Sequence, residues 1–372
     1  MDPIAHTLTG ATLSQTGLKK LTPLATATLV IAANLPDIDA VMTFVGRDAS
    51  LYYRRGITHG IAALLLLPLV LTGIILAIDR LIRRARHPKK EPARARGLLL
   101  LSYIGVWSHP FLDWLNTYGV RLLMPFDGRW FYGDTLFIVD AWMWLLMGAA
   151  VIFAHTQTKL GMMLWIALGS GMSFLITTVD MVSLPAKIVW WIGVAIIVAF
   201  RLRGVKPDKN QKVAVACVVT FCLYLATLTA GNQTARQGVE EWLAKENSSV
   251  VTDLMTGPMP ANPFYRDVIA VTNTHYHGLR VRVLGSFEVE RLFEPVKIEE
   301  PHPIVELAMQ AKEVRGFTNW MRFPSYEIRP EGDGYLVLIR DLRYVRPDQE
   351  DDAGIGMAKV FVSAEEVESL TF

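Results

Sequence analysis

SHPFLDWLNTYG, the stretch from Ser108 to Gly119, closely follows the apolar run Gly97 to Val106. The run predicts a membrane helix, so the stretch lies at the far end of that helix. His109 and Asp113 are four residues apart, which places an imidazole and a carboxylate on one helical face. Ionisable side chains in lipid are costly and usually mark function. The alternative is a helix end that has reached the lipid headgroups, where both side chains cost little.

The composition extends the membrane prediction to much of the chain. Of 372 residues 52% are hydrophobic and only 19% are charged, which is too apolar for an ordinary soluble protein. Cys217 and Cys222 share one apolar run and are predicted to be membrane-helix residues, neither a disulfide nor a metal site. The sequence has no phosphate-binding glycine loop, GxSxG motif or CxxC pair, which argues against nucleotide, serine-hydrolase and redox chemistry. No nucleic-acid partner is expected.

The apolar runs predict a polytopic membrane bundle of about six to eight helices. They are Pro3 to Thr16, Leu21 to Leu35, Ile57 to Ile82, the helix that ends in SHPFLDWLNTYG, Leu136 to Ala154, Met162 to Val182, Lys187 to Phe200 and Val213 to Ala230. The first two runs are about 15 residues each, which is short for a membrane span. They could form a hairpin packed inside the bundle.

Two basic segments, Arg83 to Arg96 and Arg201 to Lys212, set the predicted topology. Under the positive-inside rule both are cytoplasmic, and four crossings between them keep them on one side. The polar helix ends, including SHPFLDWLNTYG, then lie at the outer face of the membrane. Residues 1–231 are predicted to form the membrane-embedded domain.

From Asn232 onward the composition is that of a soluble protein, which predicts a small extracytoplasmic α+β domain over residues 232–372. The predicted strands are Asp267 to Thr274, Leu279 to Val283, Tyr335 to Arg340 and Lys359 to Val362, with a helix at Pro303 to Val314 and a loop at Gly257 to Phe264. His275 and His277 face the same way on a strand. An exposed histidine pair is favoured there over a two-histidine metal site.

Six ionisable residues share the predicted outer helix ends: His6, Asp37, Asp39, His59, His109 and Asp113. Three imidazoles and three carboxylates suit one Zn²⁺, or two ions bridged by a carboxylate, and Mn²⁺ is an alternative. Each residue also has an ordinary interpretation, such as a helix stop for Asp37 and Asp39 or a chain-end histidine for His6. The convergence of four separate stretches at one depth favours the metal site.

The chain resembles the YdjM-like inner-membrane metal-dependent hydrolases in four ordered motifs, which are AHTLTG (Ala5 to Gly10), NLPDID (Asn34 to Asp39), RGITHG (Arg55 to Gly60) and SHPFLDWLNTYG. That family is similar to the zinc-dependent phospholipase C and P1 nuclease group. The resemblance covers roughly residues 1–155 and implies that five residues are metal ligands: His6, Asp37, His59, His109 and Asp113. It implies that Asp39 is a sixth ligand or a neighbour of the ligands. The resemblance assigns no residues to the further HxxxE pair of the phospholipase C group, and Asp134 and Asp140 are the candidates to replace it.

The expected activity is hydrolysis of a phosphoester or lipid-like substrate at the outer face of a bacterial inner membrane. A bound metal would activate water. Asp39 would accept the proton of that water. Arg55, with Arg54 and Arg121, could hold a phosphate. The alternative for these arginines is that they extend to lipid headgroups. One alternative is a non-catalytic metal-binding scaffold that presents the outer domain to a partner. Another is a transporter. The clustering of the ionisable residues at helix ends argues against that alternative.

Overall fold

A computed structural model describes residues 1–203, 210–247, 250–349 and 354–368 of the protein. The chain forms two compact units. The membrane unit comprises residues 1–38, 55–230 and 258–263, and the C-terminal unit comprises residues 39–54, 231–257 and 264–372. Residues 204–209 of the second basic segment lie outside the described part of the chain.

Helices make up most of the N-terminal two thirds of the chain. In order they are α1 (Pro3–Gln15), α2 (Ala25–Asn34), a 3-10 helix (Leu35–Phe44), α3 (Arg47–Tyr53), a short 3-10 turn (Ile57–His59), α4 (Ile61–Ile78), α5 (Arg84–Arg86), α6 (Ala95–Trp114), α7 (Ala141–His155), α8 (Lys159–Thr178), α9 (Leu184–Leu202) and α10 (Asn210–Asn247). The predicted helical membrane bundle is confirmed.

Five helical stretches in the described chain are long and apolar enough to cross a membrane. They are Ala25–Phe44, Ile61–Arg86, Lys159–Thr178, Leu184–Leu202 and Asn210–Glu246. Helices α6 and α7, which the sequence also predicts as spans, fall outside this set. Helix α7 has only 15 residues. Helix α6 has 20 residues but buries the polar groups of His109 and Asp113.

Glycines bring α1 and α6 into close contact with α2. A Cβ atom on Gly10 of α1 would lie 2.6 Å from the carbonyl oxygen of Leu29, and one on Gly105 of α6 would lie 2.4 Å from Cβ of Ala32. No larger side chain fits at either position without a backbone shift. Small residues of this kind allow close helix packing in membranes. Three stretches with predicted ligands are thereby held together: α1, the end of α2 and α6.

The C-terminal unit contains two sheets. The first has four strands in the order β1 (Val251–Met259), β2 (Asn262–Thr272), β3 (His275–Arg282) and β4 (Glu288–Lys297), and the second has β5 (Pro324–Glu331), β6 (Gly334–Asp341) and β7 (Met357–Ser363). The pairs β2–β3, β3–β4, β5–β6 and β6–β7 are antiparallel. Helices α11 (Pro303–Gln310), α12 (Arg315–Trp320) and α13 (Ala364–Glu368) complete it. The predicted α+β class is confirmed.

Two details of this unit differ from the sequence predictions. The predicted loop from Gly257 to Phe264 is mostly strand, because β1 runs to Met259 and β2 begins at Asn262. β1 is an edge strand, where Pro258 is tolerated. His277 is only 4% exposed, because β3 lies between β2 and β4 and its middle is buried on both faces.

Residues 39–54, which follow α2 in the chain, are part of the C-terminal unit. The side chain of Asp48 accepts hydrogen bonds from the backbone N–H groups of Gly316 (2.7 Å) and Phe317 (3.0 Å) in the first turn of α12. The guanidinium of Arg315 lies 5.0 Å from the ring centre of Tyr52. A segment that leaves the membrane unit after Ile38 thus completes the fold of the C-terminal unit before it returns at Arg55.

Candidate metal centre

Four buried or nearly buried side chains of the membrane unit meet at one point. Asp37 lies on the 3-10 helix after α2, His59 on the short turn before α4, and His109 and Asp113 on successive turns of α6. Each offers one donor atom, and the four atoms all lie within 4.8 Å of one another. Three stretches far apart in sequence therefore supply one donor set.

The spacing of these donors fits a single four-coordinate ion. Nε2 of His59 is 3.1 Å from Nε2 of His109. Oδ2 of Asp113 is 3.2 Å from the His59 nitrogen and 3.5 Å from that of His109, and Oδ1 of Asp37 is 3.8 and 3.6 Å from the same atoms. A tetrahedral ion with bonds of about 2.0–2.1 Å separates its ligand atoms by roughly 3.3 Å. The cluster can therefore hold a metal ion.

The two imidazoles are oriented as metal ligands usually are. Nδ1 of His109 is 2.6 Å from the carbonyl oxygen of Ala33. A carbonyl oxygen only accepts, so this Nδ1 donates its hydrogen and the neutral ring keeps a lone pair on Nε2. Nδ1 of His59 pairs with Oγ1 of Thr58 at 3.0 Å. Such outer contacts fix the tautomer and ring angle of metal-binding histidines.

Asp113 divides its two oxygens between different partners. Oδ2 faces the imidazoles, whereas Oδ1 accepts from Nη2 of Arg55 at 2.9 Å and also contacts the α-amino group of Met1. Nη1 of Arg55 donates to Oδ1 of Asn116 (2.9 Å) and to the carbonyl of Gly119 (3.2 Å). Arg55 is 3% exposed. Its buried pairing orients the carboxylate toward the donor cluster.

His6 and Asp39, both predicted ligands, lie outside the set of four. His6 is beside it, with Nε2 3.3 Å from Oδ1 of Asp113 and its ring stacked on that of His109. Asp39 follows Asp37 by two residues on the same 3-10 helix and belongs to the C-terminal unit. Metal binding by either residue stays a prediction.

The two candidates to replace the HxxxE pair, Asp134 and Asp140, are not among the four donors of the cluster. Asp140 caps α7 by accepting from the backbone N–H of Met143 (2.8 Å), and it also accepts from the hydroxyl of Tyr224 (3.0 Å). Asp134 is buried but is not one of the four donors. The guanidinium of Arg121 stacks over Trp130, 4.8 Å from the ring centre.

One contributor to the centre was not recognised from the sequence. Asn116 holds Arg55 in place through its amide oxygen and also accepts from the backbone N–H of Tyr118 at 2.9 Å. It lies within SHPFLDWLNTYG, so its position in that motif was the available signal.

Comparison with known proteins agrees with the resemblance drawn from the motifs. A model of the family described as YdjM inner membrane protein matches residues 1–184. This part of the chain belongs to the YdjM family. The match to the YdjM model covers all four donors and ends where α9 begins. The inner-membrane family match and the five helices that are long and apolar enough to cross a membrane together support a multi-pass inner membrane protein.

Similarity to another protein extends beyond the YdjM region. The chain is 22% identical over 355 residues to the uncharacterized protein YfhP of Bacillus subtilis (strain 168), covering 92% of this chain and 87% of that protein. An alignment of that length includes much of the C-terminal unit. No solved structure matches.

Proposed function

We propose that this protein is a metal-dependent hydrolase of the inner membrane. Its Zn²⁺ would be held by Asp37, His59, His109 and Asp113, and its substrate would be a phosphoester or lipid-like molecule at the outer face. The observation that supports the proposal is the donor spacing, which is 3.1 to 3.8 Å for the pairs that include a histidine and within 4.8 Å for all four atoms. Two imidazoles and two carboxylates form a donor set that suits Zn²⁺ and also accepts Mn²⁺.

The chain's residues divide the chemistry between them. A bound Zn²⁺ supplies Lewis acidity, which polarises a phosphoryl oxygen and lowers the pKa of water. Asp37 is 12% exposed and the other three donors are 0 or 1% exposed. Substrate therefore approaches from the side of Asp37. Asp39, two residues after Asp37, would serve as the general base, as the sequence predicts.

The contacts of Arg55 support a second role beside the phosphate-holding role predicted from its position in RGITHG. The sequence predicts that it holds a substrate phosphate. Its donors contact Asp113, Asn116 and Gly119. These contacts support a positioning role, in which Arg55 keeps Oδ2 of Asp113 directed at the two imidazoles. A phosphate-holding role for Arg55 stays a prediction.

Metal analysis of the purified protein, followed by a screen of phosphodiesters and phospholipids, tests the proposal. His109→Ala and Asp113→Ala should each lower the metal content and the activity. His275→Ala and Asp127→Ala are matched controls, because these side chains lie on β3 and in a loop, outside the four donors. Full metal content in both cluster variants would contradict the assignment. Bound metal without hydrolysis of any substrate would support the scaffold alternative.

A further inference from the structure

A cavity of about 430 Å³ adjoins the metal centre. It is lined by Val30, Ile31, Asn34, Leu35, Asp37 and Ile38. The volume lies within the range of about 300–1,000 Å³ that is usual for ligand sites. Asp37 is both a wall of this cavity and a donor of the cluster. One wall of the cavity is therefore part of the proposed metal site.

The rest of the cavity is an apolar groove along a stretch that is long and apolar enough to cross a membrane. Its walls come from α2 and the following 3-10 helix, within the apolar stretch Ala25–Phe44. Ile31 is 43% exposed and Ile38 is 61% exposed. If this stretch spans the bilayer, its exposed aliphatic side chains face the hydrocarbon. The groove is thus continuous with the lipid-facing surface.

Two of the six wall residues, Asn34 and Asp37, have polar side chains. Asn34 donates from its amide nitrogen to the carbonyl of Val30 (2.8 Å) and accepts from the hydroxyl of Thr7 (3.2 Å). Its hydrogen-bonding groups are therefore engaged by α1 and α2. Asp37 is the remaining polar wall, and it is also a donor of the cluster.

We infer that this groove holds an acyl chain of a membrane lipid whose headgroup reaches the metal centre. The inference rests on the proposed hydrolase function and narrows its substrate class to long-chain amphiphiles. An amphiphile joins an apolar chain to a polar headgroup, as the groove joins apolar walls to the donor Asp37, and acyl chains surround a lipid-facing surface. The other occupant with matching chemistry is an apolar helix of a second copy of this chain.

Photolabelling tests the occupant independently of activity. The full-length, metal-loaded protein is placed in phosphatidylethanolamine and phosphatidylglycerol vesicles that contain a trace of phospholipid with a diazirine on one acyl chain. We expect labels concentrated on residues 30–38. Ile31→Trp should lower this labelling about tenfold, the effect of losing burial of about two methylene groups. Ile166→Trp is the matched control, since Ile166 is 62% exposed on α8.

Equal labelling of residues 30–38 in wild type and Ile31→Trp would overturn the acyl-chain site. Disulfide-linked dimers of an Ile31→Cys variant lacking the native cysteines would assign the groove to a second copy, and would also overturn it.

An activity measurement separates this inference from the hydrolase proposal. We expect faster hydrolysis of a long-chain phospholipid than of its short-chain analogue, and Ile31→Trp should reduce that ratio while Ile166→Trp leaves it unchanged. Equal rates for both chain lengths, with no effect of Ile31→Trp on the ratio, would overturn the groove and leave the hydrolase intact. Labelling of residues 30–38 in a protein that hydrolyses none of the substrates would overturn the hydrolase and support chain binding.

Discussion

His6 stacks on His109, with ring centroids 3.6 Å apart and ring planes 15° apart. The stack brings α1 against a donor of the centre, and Nε2 of His6 lies 3.3 Å from Oδ1 of Asp113. That oxygen is already paired with the guanidinium of Arg55. The α-amino group of Met1 also contacts that oxygen, so a metal ion there would compete with two groups already in place. We therefore expect His6 to support the ring of His109 and the cluster to bind one ion.

His6→Phe tests this expectation, because phenylalanine keeps a stacked ring and removes both ring nitrogens. We expect about one metal ion per chain in wild type and in His6→Phe, since the four other donors complete a tetrahedral site. Elemental analysis of the purified proteins measures the ratio. A clear loss of metal in His6→Phe would establish His6 as a ligand, as the sequence predicts.

Arg55→Ala should strongly destabilise the metal-free protein. The change leaves the buried carboxylate of Asp113 without its guanidinium partner, and removing one partner of a buried ion pair costs about 3–5 kcal/mol. Arg129→Ala is the control, because Arg129 is 72% exposed and its pair with Asp127 should contribute about 1 kcal/mol or less. Thermal unfolding in detergent with a chelator compares the two. Similar shifts of the unfolding midpoint would contradict the positioning role of Arg55.

Asp37→Asn and Asp39→Asn should have different effects. An asparagine at position 37 replaces a charged donor, so both metal and activity should fall. The same change at position 39 should keep most of the metal but slow turnover by about 10²- to 10⁴-fold, the usual contribution of a general base. Metal content and rate must be measured on the same preparations. Wild-type metal content and rate in both variants would mean that the stretch Pro36 to Asp39 only ends a helix.

The predicted topology can be tested by cysteine labelling in intact cells. In a background without Cys217 and Cys222, cysteine replaces Lys90 in the first basic segment or Asp333 in the C-terminal unit, both of which are exposed. An impermeant reagent should label position 333 and spare position 90, because basic segments stay in the cytoplasm. Labelling after cell lysis provides the control for reactivity. The reverse pattern would place the C-terminal unit in the cytoplasm.

Stability of the C-terminal unit should fall in mild acid because of His277. Burial lowers the pKa of its imidazole below the ordinary value of 6.5, and the nearby charges of His275 and Arg291 act in the same direction. The unfolded chain then binds more protons than the folded chain as the pH drops below about 6.5, so the free energy of unfolding decreases.

His277→Phe should reduce this pH dependence. Nδ1 of His277 has no hydrogen-bond partner among the described residues, so the ring can change without loss of a bond at that atom. Urea unfolding of the full-length protein, measured at about pH 8 and about pH 5, gives the difference between the two proteins. An unchanged pH dependence in His277→Phe would exclude this imidazole as its source.

The donors could be predicted because their signal is local. His109 and Asp113 are four residues apart in a helix, and Asp37 sits in a short polar motif after an apolar run. The partner of Arg55 could not be predicted in this way. Its ion pair with Asp113 joins residues 58 positions apart, and it depends on how α6 packs against the turn before α4. The position of Arg55 beside the motifs predicts a phosphate-holding role, and the local sequence carries no signal of the pair with Asp113.

The strands that the sequence did not indicate have ambiguous patterns. β4 contains charged residues and is mostly exposed or half-buried, and β1 contains a Gly-Pro pair. Neither pattern alternates clearly, so pairing with a neighbouring strand decides the structure. The assignment of residues 39–54 to the C-terminal unit depends on contacts with residues about 270 positions later, which no local pattern encodes.

The placement of residues 39–54 has a consequence for biosynthesis. Asp48 leaves the ribosome 268 residues before Gly316, whose backbone N–H it binds. Chains fold from the N-terminus as they are synthesised. This segment therefore lacks its packing partners until most of the protein has been translated. The same segment joins Asp37 to the stretch that contains His59. Metal is therefore expected to be acquired late, after translation of the C-terminal unit, and nascent chains released before α12 should remain metal-free.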